Sequence, residues 1–201
     1  MSSEPGKLRS DRGQAFTLEG VLAALIVIAG LVFALQAVTV TPSTTGSTAA
    51  PVDSERFNTI FAESADSGAL KRAVLAWDDG FQGVTTGEDY FVDAFPNNDF
   101  GNGLNDAVRP SVAVNVLVHY RTGPDTVKSQ RMVYNGQPGD GAVRAESTVS
   151  VFDGDRLYDA TGNPRPGTSV QADGLYPGLS DRSTGSDLYS VLKVEVIAWS
   201  A

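Results

Sequence analysis

The sequence predicts an α+β protein: an N-terminal transmembrane helix precedes an external domain of short helices packed on an antiparallel β-sheet of about four strands. Three observations support this fold class. No side chain from Gly20 to Leu35 is polar. Residues 53–77 place apolar side chains at helical spacing, whereas apolar and polar side chains alternate in several short segments after residue 110.

Four segments follow from these patterns: a cytoplasmic basic tail at 1–15, a transmembrane helix at 16–38, a Ser/Thr/Pro linker at 39–52 and an external α+β domain at 53–201. As a helix rising about 1.5 Å per residue, the second segment is long enough to cross a hydrocarbon core of about 30 Å. Lys7, Arg9 and Arg12 precede it, so the positive-inside rule predicts a single-pass protein of the cell membrane with its N-terminus inside. A cleaved signal peptide is the alternative, although its apolar region is normally only about 7–15 residues long.

The net charge lies in the predicted domain. The chain has a net charge of −9, and the three basic and three acidic residues before residue 53 cancel, leaving 12 basic and 21 acidic residues. Many aspartates and few lysines suit concentrated salt, where screening weakens repulsion between like charges, so we predict a halophilic source. An ordinary acidic domain is the alternative. The acidic composition argues against nucleic acid as a partner.

The residues available for catalysis are few. The chain has no cysteine and one histidine, His119. It therefore lacks disulfides, thiolate metal sites and a cysteine nucleophile, and a histidine-dependent triad has little to build on. No Gly-x-Ser-x-Gly motif or phosphate-binding loop occurs. We predict no enzymatic activity and no cofactor. Calcium at the oxygen-rich segment 97–106 is an alternative to a simple turn or helix start there.

The junction before the apolar segment has a distinctive order of residues. Arg12, Gly13 and Gln14 are followed by Phe16 and, near the start of the helix, by Glu19. This order resembles the processing site of archaeal type IV pilins and archaellins. The resemblance implies that a prepilin peptidase cuts after Gly13 and leaves Gln14 as the new N-terminus. Counted from Gln14, Glu19 is the sixth residue, whereas the glutamate of that family is usually the fifth. The whole chain is similar to pilin-like membrane proteins of halophilic archaea.

The start of the predicted helix offers two ways to contact other helices. Glu19 lies only about one turn inside the cytoplasmic edge, where it is either a solvated acid or a charge that recruits a partner helix or amine. Small residues at Gly20 and Ala24, and again at Gly30 and Ala34, form two small-xxx-small pairs that permit close helix packing.

The domain is predicted to begin with helix. Residues 53–77 should form two short helices or one kinked helix, with Asp53 as the N-cap, a break at Gly68 and Trp77 in the core. Segment 80–110 is less regular and supplies aromatic side chains to the core.

Strands are predicted later in the chain, at 112–120, 127–134, 142–152 and 188–199. The short turns between the first three favour an antiparallel meander. His119 is expected to face solvent. Ile197 and Trp199, on the second face of the last strand, are expected to be covered or to form an interface. Segment 161–187 is predicted to be a long loop that is functional or mobile.

Three functions are compatible with this organisation. The first is a pilin-like structural or assembly subunit, whose partners would be the lipid bilayer, a prepilin peptidase and other pilin-like helices. The second is a membrane-tethered surface binding or adhesion module that forms no filament and uses segments 97–106 and 161–187 for contact. An anchored hydrolase is the third, and the chain offers least for it.

Overall fold

The computed structural model describes residues 23, 24, 27, 54–181 and 183–201. The chain forms two compact units, Met1–Thr44 and Thr45–Ala201. The predicted tail, the linker and most of the predicted transmembrane helix lie outside the described residues. Among the residues described, no helix is long and apolar enough to span a bilayer.

The second unit begins with the predicted pair of helices, α1 (Ser54–Asp66) and α2 (Ala69–Val74). The break predicted between them is confirmed at Gly68, whose φ of 72° is left-handed and favours glycine. Helix α2 ends before Trp77, which is nonetheless buried, as predicted, and packs edge-to-face on Phe81 with the ring centroids 5.0 Å apart.

The bend at Gly68 decides where the helices bury their apolar faces. In one straight helix, Phe57 and Phe61 would point away from Leu70 and Val74. In the structure all four side chains are buried in one core. The break therefore allows both helices to cover the same face of the sheet.

Segment 97–106, for which the sequence predicted a turn or helix start with calcium binding as the alternative, is largely helix α3 (Asp99–Ala107). The Asn98 side chain accepts a hydrogen bond from the Gly101 amide and caps the helix. Phe100 and Leu104 are buried in the core. The predicted helix start is therefore confirmed, and the loop that the adhesion alternative placed here is a helix.

The four predicted strands are confirmed as β1 (Val112–Arg121), β2 (Val127–Val133), β3 (Val143–Phe152) and β4 (Leu188–Ser200). All pairings are antiparallel. Alternation places one set of side chains in the core with the helices, as predicted. The described domain is therefore α+β, with helices packed on one face of a four-stranded antiparallel sheet.

The predicted meander is wrong, because the strand order is β2-β1-β4-β3. The last strand lies between β1 and β3, and within the described residues β3 pairs with β4 alone. Instead of turning tightly, the β2–β3 connection at 134–142 crosses the end of the sheet. There a Cβ on Gly139 would stand 3.4 Å from Trp199 Cδ1, so the connection covers this ring. Strand β4 is apolar on both faces here because both are covered.

Asn115 of β1 attaches the β2–β3 connection to the sheet. Its Nδ2 donates to the Gly136 carbonyl at 2.8 Å, and its Oδ1 accepts from the Asn135 amide at 2.7 Å. Asn135 in turn donates from Nδ2 to the Val114 carbonyl. Asn115 is 1% exposed, so the polar face that local alternation indicates for β1 is not solvated at this end.

The long segment 161–187 contributes to the core. It contains the short helix α4 (Val170–Asp173) and buries Val170. Tyr176 stacks on Tyr120 of β1, with the ring centroids 5.1 Å apart, and its hydroxyl donates to the Val74 carbonyl at 2.7 Å. The segment is a long loop as predicted, but its inner side belongs to the packed interior.

Candidate functional site

Six of the seven predicted processing and helix-packing residues lie outside the described residues: Gly13, Gln14, Glu19, Gly20, Gly30 and Ala34. Ala24 is described and is helical and exposed. Val27, close by, is also helical and 70% exposed.

The described domain has one extended face that no helix of the core covers. We call it the open face of the sheet. It is made of the side chains that alternate with the core residues of the four strands, away from the β2–β3 connection. These are Leu117, His119 and Arg121 of β1, Val127, Ser129 and Arg131 of β2, Arg144, Glu146, Thr148 and Ser150 of β3, and Val191, Lys193 and Glu195 of β4.

On this face His119 of β1 contacts both strands that flank β1. Its Nδ1 lies 2.7 Å from Ser129 Oγ on β2, and its Nε2 lies 3.1 Å from Glu195 Oε2 on β4. The His119 side chain is 19% exposed and that of Glu195 is 11% exposed. The prediction that His119 points to the solvent side of the sheet is confirmed, but cross-strand neighbours, which local alternation does not reveal, cover most of the ring.

On the open face, Glu195 is the centre of a polar row that consists of Ser129, His119, Glu195 and Arg144. Arg144 of β3 donates from Nη1 to Glu195 Oε1, while His119 engages the other carboxylate oxygen. Burial by itself raises the pKa of the Glu195 carboxyl, but the hydrogen bonds and charges of Arg144 and His119 outweigh burial and lower this pKa below its ordinary value. Glu195 is therefore ionised at neutral pH and ties three strands together.

The row Ser129–His119–Glu195 has the order of groups by which hydrolases activate a serine: hydroxyl, imidazole, carboxylate. Acyl transfer also needs hydrogen-bond donors aimed at the developing oxyanion. Ser129 stands within a strand, where backbone N–H groups lie in the plane of the sheet and not above the face. The geometry therefore suits a row that holds strands in register better than it suits catalysis.

A groove interrupts the open face beyond this row. Strands β1 and β4 are paired as far as His119 and Lys193, whereas β1 and β2 continue to Arg121 and Val127. The resulting open-face groove has a volume of about 470 Å³. Val127 and Val191 contribute to its lining and are 58% and 49% exposed.

Basic residues, together with the polar residues Tyr120 and Thr148, surround the groove. His119, Arg121 and Lys193 line it together with the valines. Lys193 donates from Nζ to Glu146 at 2.9 Å, which separates Glu146 from its like-charged cross-strand neighbour Glu195. An apolar floor with a basic rim is suited to bind a surface or segment that combines carboxylates with apolar side chains.

Apart from the open face, a group of acidic residues lies at the turn after β3. The predicted turn at Asp153 and Asp155 is present. Burial, followed by the charges of Asp181 and Asp187, raises the pKa of Asp153. Within the part of the chain that the structure describes, no cluster of three or more acidic, histidine or cysteine side chains is arranged to hold a metal ion.

Sequence reasoning did not find the open face as a unit. Its basic side chains are spread over four strands between residues 121 and 193, so no basic stripe is visible along the chain. The available signal was the strand alternation itself. It puts Arg121, Arg131 and Arg144 on the face away from the core, and only the strand order shows that these residues share one surface.

Comparison with known proteins gives a family but no function. No curated protein matches the chain. No solved structure matches it either. A family model matches residues 12–198, and the chain therefore belongs to DUF7288, a family of unknown function.

Proposed function

We propose that this protein is a membrane-anchored, pilin-like structural or assembly subunit that exposes its acidic domain outside the cell. The observation that supports this function best is the prepilin-like junction at Gly13 and Gln14, directly followed by the uninterrupted apolar segment. Cleavage there would remove the charged tail and keep the helix in the mature protein. The helix would then anchor the subunit in the bilayer and contact neighbouring helices through Glu19 and the small-residue pairs.

The organisation of the rest of the chain agrees with this proposal. The family match begins at Arg12, so it includes the junction and the apolar segment together with the domain. The linker at 39–52 is uncharged and rich in serine and threonine, as expected of an extended spacer. The domain that follows is compact, with its apolar helix faces and one sheet face buried in a single core.

The N-terminus of the membrane-extracted protein tests the proposal. We expect mass analysis and N-terminal sequencing to give Gln14 as the first residue. The change Gly13→Leu should block cleavage and leave membrane insertion intact, because a bulky residue hinders close approach of the peptidase to the backbone. Gly6→Leu, in the same tail, is the matched control and should be processed normally. A mature protein that starts beyond residue 37 would contradict every model that keeps the helix.

A membrane-tethered binding or adhesion module is the second candidate. The open-face groove favours it, because exposed valines beside basic side chains form a surface that can bind a ligand without any filament. An intact N-terminus, together with monomeric protein in the membrane, would support this function over the first.

A further inference from the structure

We propose that the open face of the sheet is the docking surface for the acidic surface of a second copy of this chain. The inference deepens the proposed function and rests on it, because both copies have to be held in the same membrane. Anchoring would raise their effective concentration, so a contact of modest affinity would suffice.

The first argument is exposure on an otherwise well-covered sheet. The core face is packed against helices, and the β2–β3 connection covers one end of the other face. The remaining open face exposes Val127 and Val191 side by side with polar residues. The two valines line one groove together with basic side chains, so their exposed apolar area is concentrated at one place on this face.

The second argument is charge complementarity. From residue 53 onward the chain has 12 basic and 21 acidic residues. The open face contains four of the basic residues, Arg121, Arg131, Arg144 and Lys193, but only two acidic ones, Glu146 and Glu195. The remainder of the domain therefore has eight basic and nineteen acidic residues. A locally basic face on an acidic molecule complements the rest of its own surface.

Two of the open-face cations are available for a partner. Arg121 donates from Nη1 to the Pro124 carbonyl, and the guanidinium of Arg131 lies 4.0 Å from the ring centroid of Tyr134 and 5.5 Å from that of Tyr90. Neither forms an ion pair with a carboxylate among the described residues. Arg144 and Lys193 are already paired with Glu195 and Glu146, so Arg121 and Arg131 are the cations expected to meet the partner.

The acidic counterpart is expected at residues 78–93, which we call the acidic loop. It has five acidic residues and no basic one: Asp78, Asp79, Glu88, Asp89 and Asp93. The loop lies along the β2 edge of the sheet, where the Phe91 amide donates to the Met132 carbonyl and Tyr90 contacts Arg131. A contact between the loop of one copy and the open face of the next therefore joins unlike patches of successive copies. Such a heterologous contact extends into a chain of subunits unless its rotation closes a ring. This geometry suits a subunit that assembles.

Site-specific crosslinking of the full-length chain in membranes tests the proposal. Because the chain has no cysteine, single cysteines can be introduced without background. Ser150→Cys marks the open face, Thr86→Cys marks the acidic loop, and Asn102→Cys on α3 is a control; all three positions are exposed. With differently tagged copies, we expect the 150–86 pair to crosslink at least about tenfold more than the 102–86 pair.

Charge variants identify the forces involved. Arg121→Glu with Arg131→Glu should lower the 150–86 crosslink about tenfold in dilute salt, whereas Arg109→Glu with Arg156→Glu, which changes the net charge equally, should leave it within about twofold. Molar salt should weaken the effect of the charge variant. Hydrogen exchange of each variant establishes that the domain is folded.

Three outcomes would overturn the inference. One is a 150–86 yield no higher than that of the 102–86 control. Another is crosslinking only between two copies of Ser150→Cys, which would mean that open faces pair with each other. The third is protection of Ser150→Cys from thiol reagents only in bilayers with anionic lipid and without crosslinks between chains, which would make the membrane the occupant. N-terminal sequencing of the same samples tests processing separately, so failure of docking and failure of the proposed function are distinguishable.

Discussion

The attachment of the β2–β3 connection by Asn115 allows a quantitative prediction. In Asn115→Ala the hydrogen bonds to the Gly136 carbonyl and from the Asn135 amide are lost. Two such bonds contribute about 1 kcal/mol each, and a partner group left buried without a bond adds about 1–3 kcal/mol. Trp199 also loses part of its cover. We therefore expect the free energy of unfolding to fall by about 3–5 kcal/mol.

Denaturation of the full-length chain in detergent measures this loss, and hydrogen exchange locates it. Residues 134–142 should lose protection first, because their attachment to the sheet is what the substitution removes. Asn102→Ala, at an exposed position on α3, is the matched control and should change the free energy of unfolding by less than about 0.5 kcal/mol. If Asn115→Ala behaves like this control and exchange at 134–142 is unchanged, the connection is held by other contacts and the reasoning fails.

Three further predictions concern packing, pH and catalysis. A Cβ at Gly101 would stand 1.8 Å from the Pro96 carbonyl oxygen, so Gly101→Ala should destabilise the domain by about 3 kcal/mol or more in thermal unfolding. A Cβ at Gly154 would meet nothing within 4 Å, so the control Gly154→Ala should leave the stability nearly unchanged. Folding lowers the pKa of Glu195. The stability that its ionised carboxylate contributes is therefore present above its ordinary pKa and is lost as pH falls through the folded pKa. Denaturation across this pH range should show a smaller loss of stability in Glu195→Gln than in the wild type. A fluorophosphonate probe should label wild type no more than Ser129→Ala, and specific labelling of Ser129 would contradict the assignment of a non-catalytic row.

Local patterns predicted the elements of the domain well. Alternation located three of the four strands, because a half-buried strand must place every second side chain in the core, and the turns on either side located β2. The break at Gly68 was equally predictable, since two apolar sets on opposite sides of one helix cannot reach the same core. The prediction of Trp77 as a core residue followed from the same helical spacing.

The strand order was not predictable in this way, because alternation is the same whichever strand lies alongside. One signal was present: Ile197 and Trp199 make β4 apolar on the face opposite its core residues. A strand apolar on both faces is covered on both faces, which favours a central position. The connection at 134–142 is short, and for that reason it favoured a meander. Its path across the sheet depends on Asn115, which alternation alone assigns to solvent.

The candidate site was hidden for the same physical reason. His119 and Glu195 are 76 residues apart in the chain and meet only because β4 lies beside β1. The excess of basic residues on the open face likewise exists only after four strands have been placed in order. A count of charges along the chain shows only that the whole domain is acidic. In the folded sheet, the basic residues of the open face lie together, while most acidic residues lie elsewhere on the domain.

The central position of β4 gives the C-terminal strand a larger role than its place in the chain suggests. In the part of the chain that the structure describes, β4 is the one strand paired with β3 and one of the two neighbours of β1. Without residues 188–200, β3 would lose this ladder, and Glu195 would no longer join His119 to Arg144. Formation of the core, the polar row and the open-face groove therefore all depend on the final strand. A chain anchored at its N-terminus would therefore complete the proposed docking surface only after residues 188–200 had entered the sheet.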